Sequence, residues 1–447
     1  MLSRGGKFVS RFKEHPGAVD SGQMPTYAVF RDLKTRVLLA LGVAALAALA
    51  LPALAAARPQ PKPAVLSFRT AAVGAPGNPS AAIVPFEDGI YGSCAEAPVV
   101  EKKPCQEVGS VAYPFGIGQF EVTISQWVAF LNTVDPEGRN HHHLYSHTES
   151  GDAWPRFGQI DYSRRAVDGH HYSLAAKEWA DKPYGFANFL RAARFINSLD
   201  NGKVLSHATS SENGFAYTTY RVQLSPHTET GMYDMAKPAT KRTGKNGFVL
   251  PSQNEWIKAA YYDPKGGGTH SYWKYPTNPG TVGAGEADAP TESVLDPTNG
   301  DVTNSATQPL ATFHNPKSAS APAWCPSNRT AAECASVNPF GFPQEKYEKA
   351  FAGSLGTVGQ ARTLGLWGTL DMGGNAVEWT DTITPPPFGV KGHRVWRRLH
   401  GGIANAPAYQ LWLSAIGLQP QDNSAFTATY PWLGFRIGTV GSVGGGH

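Results

Sequence analysis

The chain has 447 residues, of which 41% are hydrophobic and 11% aromatic, enough to bury a sizeable core in one large domain or two ordinary ones. Charged residues make up only 17%, below the usual quarter or so, while Gly (48) and Pro (35) abound, so turns and irregular segments are expected over long helices. The formal charge of +4 is small, and no Lys/Arg block in the body of the chain is long enough to track a phosphate backbone, which sets nucleic acid aside as a partner.

In chain order, Arg31, Lys34 and Arg36 precede an uncharged run over residues 37–57 that ends in Pro52 and small residues. A basic flank, an apolar stretch and an A-x-A end read as a secretory signal within a leader over residues 1–57, with Met24 as an alternative start. The run is also just long enough to span a bilayer, so membrane attachment follows only if the leader stays uncleaved. Export to the periplasm, the cell surface or the medium is the expectation. The four cysteines agree with an oxidising compartment: none of their spacings is a CxxC pattern, and Cys94–Cys105 with Cys325–Cys334 is the simplest of three pairings. Residues 58–90 are rich in Pro, Ala and Gly and read as a linker, which leaves residues 91–447 as one domain.

Short apolar runs broken by glycine predict a strand pair over residues 111–122. Thr123 and Gln126 form a capping-box pattern, followed by Ile124, Trp127, Val128, Leu131 and Val134 at helical spacing. Residues 135–183 read as loops with short strands. A second amphipathic helix is predicted from about Tyr184 to Leu199, with Phe186, Phe189, Leu190, Ala193 and Ile196 on one face. Residues 200–247 read as irregular. Ser252 and Glu255 form another capping box ahead of a helix carrying Trp256, Ala259 and Ala260. Residues 263–359 form a long Gly/Pro/Asn/Thr stretch of turns and short strands. Further short strands are expected at residues 368–379, 394–402, 410–417 and 433–440. Helices early and short strands late, with much coil, give an α+β domain.

Four segments in this order carry a resemblance. They are Glu121-Val122-Thr123-Ile124-Ser125-Gln126-Trp127, then Phe248 to Trp256 (FVLPSQNEW), then Gly368 to Trp379 (GTLDMGGNAVEW), and finally His400-Gly401-Gly402 with Leu433-Gly434-Phe435-Arg436. Together they resemble the formylglycine-generating enzymes, or sulfatase-modifying factors. The resemblance implies a variant of the C-type lectin fold with little regular secondary structure. It also implies a structural Ca²⁺ held by the side chains of Asp371 and Glu378 and the carbonyls of Gly374 and Ala376, a mixture of oxygens that suits a hard cation. Asn304 is the candidate for a second calcium position.

In that family, active members bind copper through two cysteines after the closing Gly-Gly element, thiolates being the soft ligands Cu(I) prefers. Here residues 403–412 (IANAPAYQLW) hold no cysteine, so no copper is expected. A second enzyme branch of the family, the iron-dependent sulfoxide synthases, takes its His ligands from an added helical domain, and no such domain is expected here. His141, His142, His143 and His147 cluster, and His143 and His147 have i,i+4 spacing, but the surrounding residues are poor helix formers and no HExxH glutamate follows; a solvated polar loop is the reading. No nucleophile elbow or phosphate-cradling loop occurs. Trp396, Trp412 and Trp432, with Arg436, fall where the resemblance places a substrate cleft, and exposed aromatics there would stack on a sugar or grip a peptide.

Two functions follow from different classes. One is a non-catalytic, calcium-stabilised binding module for a peptide, glycan or protein ligand in the C-terminal cleft. The other is an oxidoreductase with a site free of cysteine, in which iron is the possible cofactor and the His-rich loop the only supporting feature.

Overall fold

The computed structural model describes residues 61–83, 106–149, 159–266, 271–277, 289–296, 299–304, 309–313, 355–386, 391–404, 408–422 and 432–443. The leader expected over residues 1–57 and all four cysteines lie outside the described residues. Among the described residues, no helix is long and apolar enough to cross a membrane.

Regular structure begins inside the segment read as a linker. Val65–Val73 is a nine-residue strand, β1, followed by β2 (Ala81–Ile83), β3 (Gln106–Val108) and β4 (Phe115–Gly118). Composition averaged over residues 58–90 hid the run VLSFRTAAV, whose apolar and β-branched residues suit a pleated, half-buried surface. One strand, not two, forms between residues 111 and 122. Helix α1 (Ile124–Val134) starts at the capping box read from sequence: Thr123 accepts from the Gln126 amide, and the Gln126 side chain accepts from the Thr123 amide.

Next come β5 (Ile160–Tyr162), β6 (Tyr172–Leu174) and α2 (Phe189–Asp200). Helix α2 starts later than its apolar pattern predicts, because Asn188 accepts from the Arg191 amide and sets the N-cap. Residues 200–247 contain a long hairpin in place of the expected coil, made of β7 (Lys203–Glu212) and β8 (Phe215–Gln223). Its two-residue turn is Asn213-Gly214, both at positive φ (53° and 82°), which is the chemistry of a tight hairpin turn. Strand β9 (Gly247–Val249) leads into α3 (Gln253–Tyr261), whose cap, Ser252 with Glu255, also matches the sequence reading. The chain closes with β10 (Thr291–Glu292), β11 (Leu310–Ala311), β12 (Val377–Thr384), β13 (Trp396–His400), β14 (Gly417–Pro420), β15 (Leu433–Gly434) and β16 (Gly438–Val440). Between β13 and β14, Ala408–Leu411 is a 3-10 turn where a strand was expected.

A six-stranded sheet has the order β7-β8-β1-β4-β16-β9, and a four-stranded sheet the order β14-β13-β12-β15. Strand β1 is interior, paired antiparallel with both β4 and β8. Among the described residues, three α-helices with many strands make an α+β, loop-rich fold. Its core is aromatic: Trp127 stacks on Tyr184 with ring centres 4.1 Å apart and meets Phe130, Phe195 and Phe435. Trp379, also fully buried, donates to the Ala187 carbonyl and so ties β12 to the start of α2.

The Lys258 ammonium on α3 is buried in this core and donates to the carbonyls of Ala75 and Val111. Burial lowers its pKa from 10.5 to about 8. The unfolded chain therefore binds more protons than the folded one between these two values, and this group makes stability rise with pH across that window. Urea unfolding of Lys258→Met should show a shallower rise with pH than wild type; an identical slope would contradict the assignment.

Candidate functional site

The sequence places its densest motif at Gly368 to Trp379, and the structure makes that segment a junction. Asp371, Gly374 and Asn375 all have positive φ (55°, 86° and 61°), so the chain turns sharply there. The Gly374 amide donates to Gly401 O (2.6 Å), and the Asn375 amide to Thr312 O (2.7 Å). The Asn375 side chain exchanges hydrogen bonds with the Gly356 backbone, and its carbonyl accepts from Ala404 N. Glycine is required at 374: a Cβ there would lie 2.0 Å from Thr312 O. The Gly-Gly-Asn turn thus sews the closing Gly401-Gly402 loop to two other segments.

Beneath this turn lies Arg436, fully buried. Its Nε donates to both carboxylate oxygens of Glu378 (2.7 and 2.8 Å), Nη1 to the Gly118 and Gln119 carbonyls (both 3.1 Å), and Nη2 to Asp371 O (2.8 Å). Trp256 from α3 donates to Glu378 Oε2 at 2.8 Å. Burial works against the guanidinium, but Glu378 and then Glu121 hold it above its ordinary pKa. Glu121 lies 3.8 Å from Arg436 Nη2, and its two oxygens are buried without a hydrogen-bond partner. Burial first, and the Asp371 charge second, raise its pKa well above the ordinary carboxylate value, which favours the neutral acid. Opposite Glu378 in the ladder is His400, whose ring stacks on Trp256 at 5.0 Å. Burial, reinforced by Arg398, lowers its pKa to about 3, so the imidazole is neutral.

A second ionic cluster anchors the cap of α3. Arg242 donates to both oxygens of Glu255 (2.9 and 2.5 Å) and pairs with Asp381, while Tyr113 donates to Glu255 Oε1 at 2.8 Å. Burial opposes ionisation of Glu255, but the hydrogen bonds and charge of Arg242 bring its pKa below the ordinary value.

The residues assigned from sequence are only partly brought together. Asp371, Gly374 and Ala376 lie in one turn and Glu378 in the strand that leaves it, but the Glu378 carboxylate faces Arg436 and Trp256. It does not fit the calcium set as drawn. Asn304 does not join them: its side chain accepts from Val294 N and donates to Glu292 O, which fixes its own loop. Asp371 is different. It lines a cavity of about 10 Å³, room for a single water, together with Thr277 and Thr369, whose buried hydroxyl oxygens have no hydrogen-bond partner. A carboxylate and hydroxyls are hard donors, so this part of the set fits a hard cation. Among the described residues, no three His, Cys, Asp or Glu side chains group to hold a metal.

The four positions assigned to a cleft also separate. Arg436 and Trp432 are buried, so neither faces a ligand. Trp396 opens β13 opposite Pro420. Trp412 is half-buried, and its indole donates to Tyr275 Oη at 2.8 Å; the Lys274 ammonium sits 4.7 Å from its ring centre and Tyr409 meets it edge-on at 6.4 Å. The His-rich loop is exposed at His141, His142, His143 and His147; His143 sits in a turn and His147 opens a 3-10 turn, so the two do not share a helix face. Sequence reasoning missed Arg242 and Tyr113, and it quoted Glu121 and His400 only as members of motif segments, without a role.

The ion-pair arrangement separates from a ligand role by experiment. Breaking a buried pair strands the partner charge, at a cost of roughly 3–5 kcal/mol. Glu378→Gln should lose about that much stability in calcium-free buffer, whereas a residue serving only as a metal ligand would leave the metal-free protein unchanged. Gly374→Ala should cost more than about 4 kcal/mol, as a backbone clash with no room to relax; a small loss by urea unfolding would contradict the close approach to Thr312.

The family described as the sulfatase-modifying factor enzyme 1-like domain matches residues 85–437. No curated protein matches. Among solved structures, the chain is similar to Treponema denticola variable protein 1 (16% identity, 85% of this chain and 100% of that one, TM-score 0.39). It is similar to CarF (16% identity, 85% and 99%, TM-score 0.33) and to PvdO from Pseudomonas aeruginosa (12% identity, 85% and 94%, TM-score 0.34). The chain belongs to the formylglycine-generating, sulfatase-modifying factor family, and residues 85–437 are its family domain.

Proposed function

We propose that this domain is an exported, non-catalytic binding module that takes a peptide, glycan or protein ligand at the aromatic surface beside its closing loop. The observation that carries the reading is the half-buried group of Trp412, Tyr409 and Lys274, on a chain whose cysteines all precede residue 335. In the family resemblance, members that oxidise a cysteine carry a thiolate pair after the closing Gly-Gly element; residues 403–412 here hold no cysteine, and without thiolates the closing loop offers nothing that prefers Cu(I). The ionisable groups beneath the loop are committed to one another: Arg436 to Glu378, and His400 to a stacked, neutral state.

The closing segment is held firmly enough to present a surface. Tyr275, Ala311, Phe313, Ala408 and Leu411 form a small separate core, against which Trp412 packs. Tyr261 of α3 donates to Leu411 O at 2.9 Å, and the Leu413 amide to Lys274 O at 3.1 Å. A rigid indole with an ammonium over its face offers stacking area and one positive charge, chemistry that suits an aromatic or acidic group on a ligand. A hard cation, when bound, would be held by Asp371 with the Thr277 and Thr369 hydroxyls and would serve the fold by neutralising a buried carboxylate.

The test combines three measurements on the exported protein. On glycan and peptide arrays, a bound probe should lose about 2 kcal/mol of affinity, roughly thirty-fold, in Trp412→Ala, as expected for a central aromatic contact. Because Trp412 also packs on the small core and donates to Tyr275 Oη, the melting temperature of that variant should fall, and affinities are compared at a temperature where both proteins are fully folded. Metal analysis should return no copper or iron, and a Cys-containing sulfatase peptide should remain unoxidised; turnover of that peptide with bound copper or iron would overturn the proposal.

A further inference from the structure

Strand β7 is an edge of the six-stranded sheet, with β8 as its only strand neighbour among the described residues. Every one of its ten residues except Val204 is exposed. The hairpin turn fixes the direction of its unused backbone groups. Glu212 and Phe215 flank the two-residue turn and bond to each other, so alternate residues back along the strand face β8. His207, Thr209 and Ser211 therefore present their N–H and C=O groups outward. An exposed edge of this length is a template for another strand, and proteins that must stay single blunt such edges with proline or with charges along the strand. Here residues 204–211 carry neither. One device is present, a bulge between Val204 and Ser206, which leaves the segment from Ser206 to Glu212 regular.

The charges that exist lie at the two ends and are opposite: Lys203 opens the strand and Glu212 closes it. Glu212 pairs with Arg69 across the sheet, yet its side chain remains 57% exposed. Antiparallel pairing of β7 with its own copy brings Lys203 of one strand towards Glu212 of the other, at both ends of the seam. A two-fold axis is the arrangement that makes one surface complementary to itself. We infer that β7 is the seam of a homodimer, in which a second copy of this chain adds its own β7 antiparallel to the first and continues the sheet across a two-fold axis. A parallel arrangement would set like charges side by side at both ends, which is unfavourable across strands.

Sedimentation velocity over the micromolar range tests this with the exported protein. Wild type should associate to a dimer. Thr209→Pro removes an outward N–H and no bond to β8, so it should keep the wild-type melting temperature and abolish the dimer. Lys203→Glu and Glu212→Lys leave the backbone untouched, and each alone places like charges at both ends. Each should weaken self-association by about ten-fold, and an equimolar mixture of the two variants should restore it as a heterodimer. A wild-type monomer at every concentration, or a dimer indifferent to these substitutions, would overturn the inference.

Discussion

The structure depends on one buried ion pair. Arg436 and Glu378 meet with no exposure to water, and the guanidinium spends its remaining donors on the carbonyls of Gly118, Gln119 and Asp371. Those partners come from the end of β4, the turn before β12 and β12 itself, while Arg436 stands between β15 and β16. Strands β4, β15 and β16 around the pair are short and offer few ladder bonds to register their segments. One planar fork with fixed donor directions can set several of them at once. Such a pair adds little net stability over an apolar replacement, but losing one partner is costly, so its value here is in specifying one arrangement.

That arrangement explains how the closing loop is placed. The Gly-Gly-Asn turn above Arg436 approaches Thr312 so closely that only a glycine fits, donates to the Gly401 carbonyl, and through Asn375 satisfies the Gly356 backbone. The loop is thereby positioned by hydrogen bonds. Beyond it, the small core around Tyr275 and Leu411 carries Trp412 and Lys274 to the surface. Beside the closing loop, residues 408–412 present a phenol and an indole, and the neighbouring segment adds the Lys274 ammonium.

Much of the fold was legible because local signals and tertiary demands agree. The capping boxes at Thr123 and Ser252 mark the starts of α1 and α3, and the aromatic residues of the motifs fill the core. The misses have physical causes. Strand β1 was hidden because Pro and Gly on either side dominate the composition, although the strand itself is apolar and β-branched. The β7–β8 hairpin was hidden because β7 is exposed on both faces and so lacks the alternation that marks a half-buried strand; the Asn213-Gly214 pair was the available signal. At the site, the sequence sets Asp371 and Glu378 on either side of one Gly-Gly-Asn turn but cannot say what each carboxylate faces. That depends on Arg436 and Trp256, which lie 58 and 122 positions from Glu378 along the chain.

The most direct test is a double-mutant cycle between Arg436→Met and Glu378→Met, read by urea unfolding. Coupling through the buried pair predicts strong non-additivity: each single variant is severely destabilised, and the double variant is destabilised by much less than their sum, with an interaction energy approaching about 3 kcal/mol. Additive losses, within about 0.5 kcal/mol, would contradict the account, because the two side chains would then act independently in holding the closing segments together.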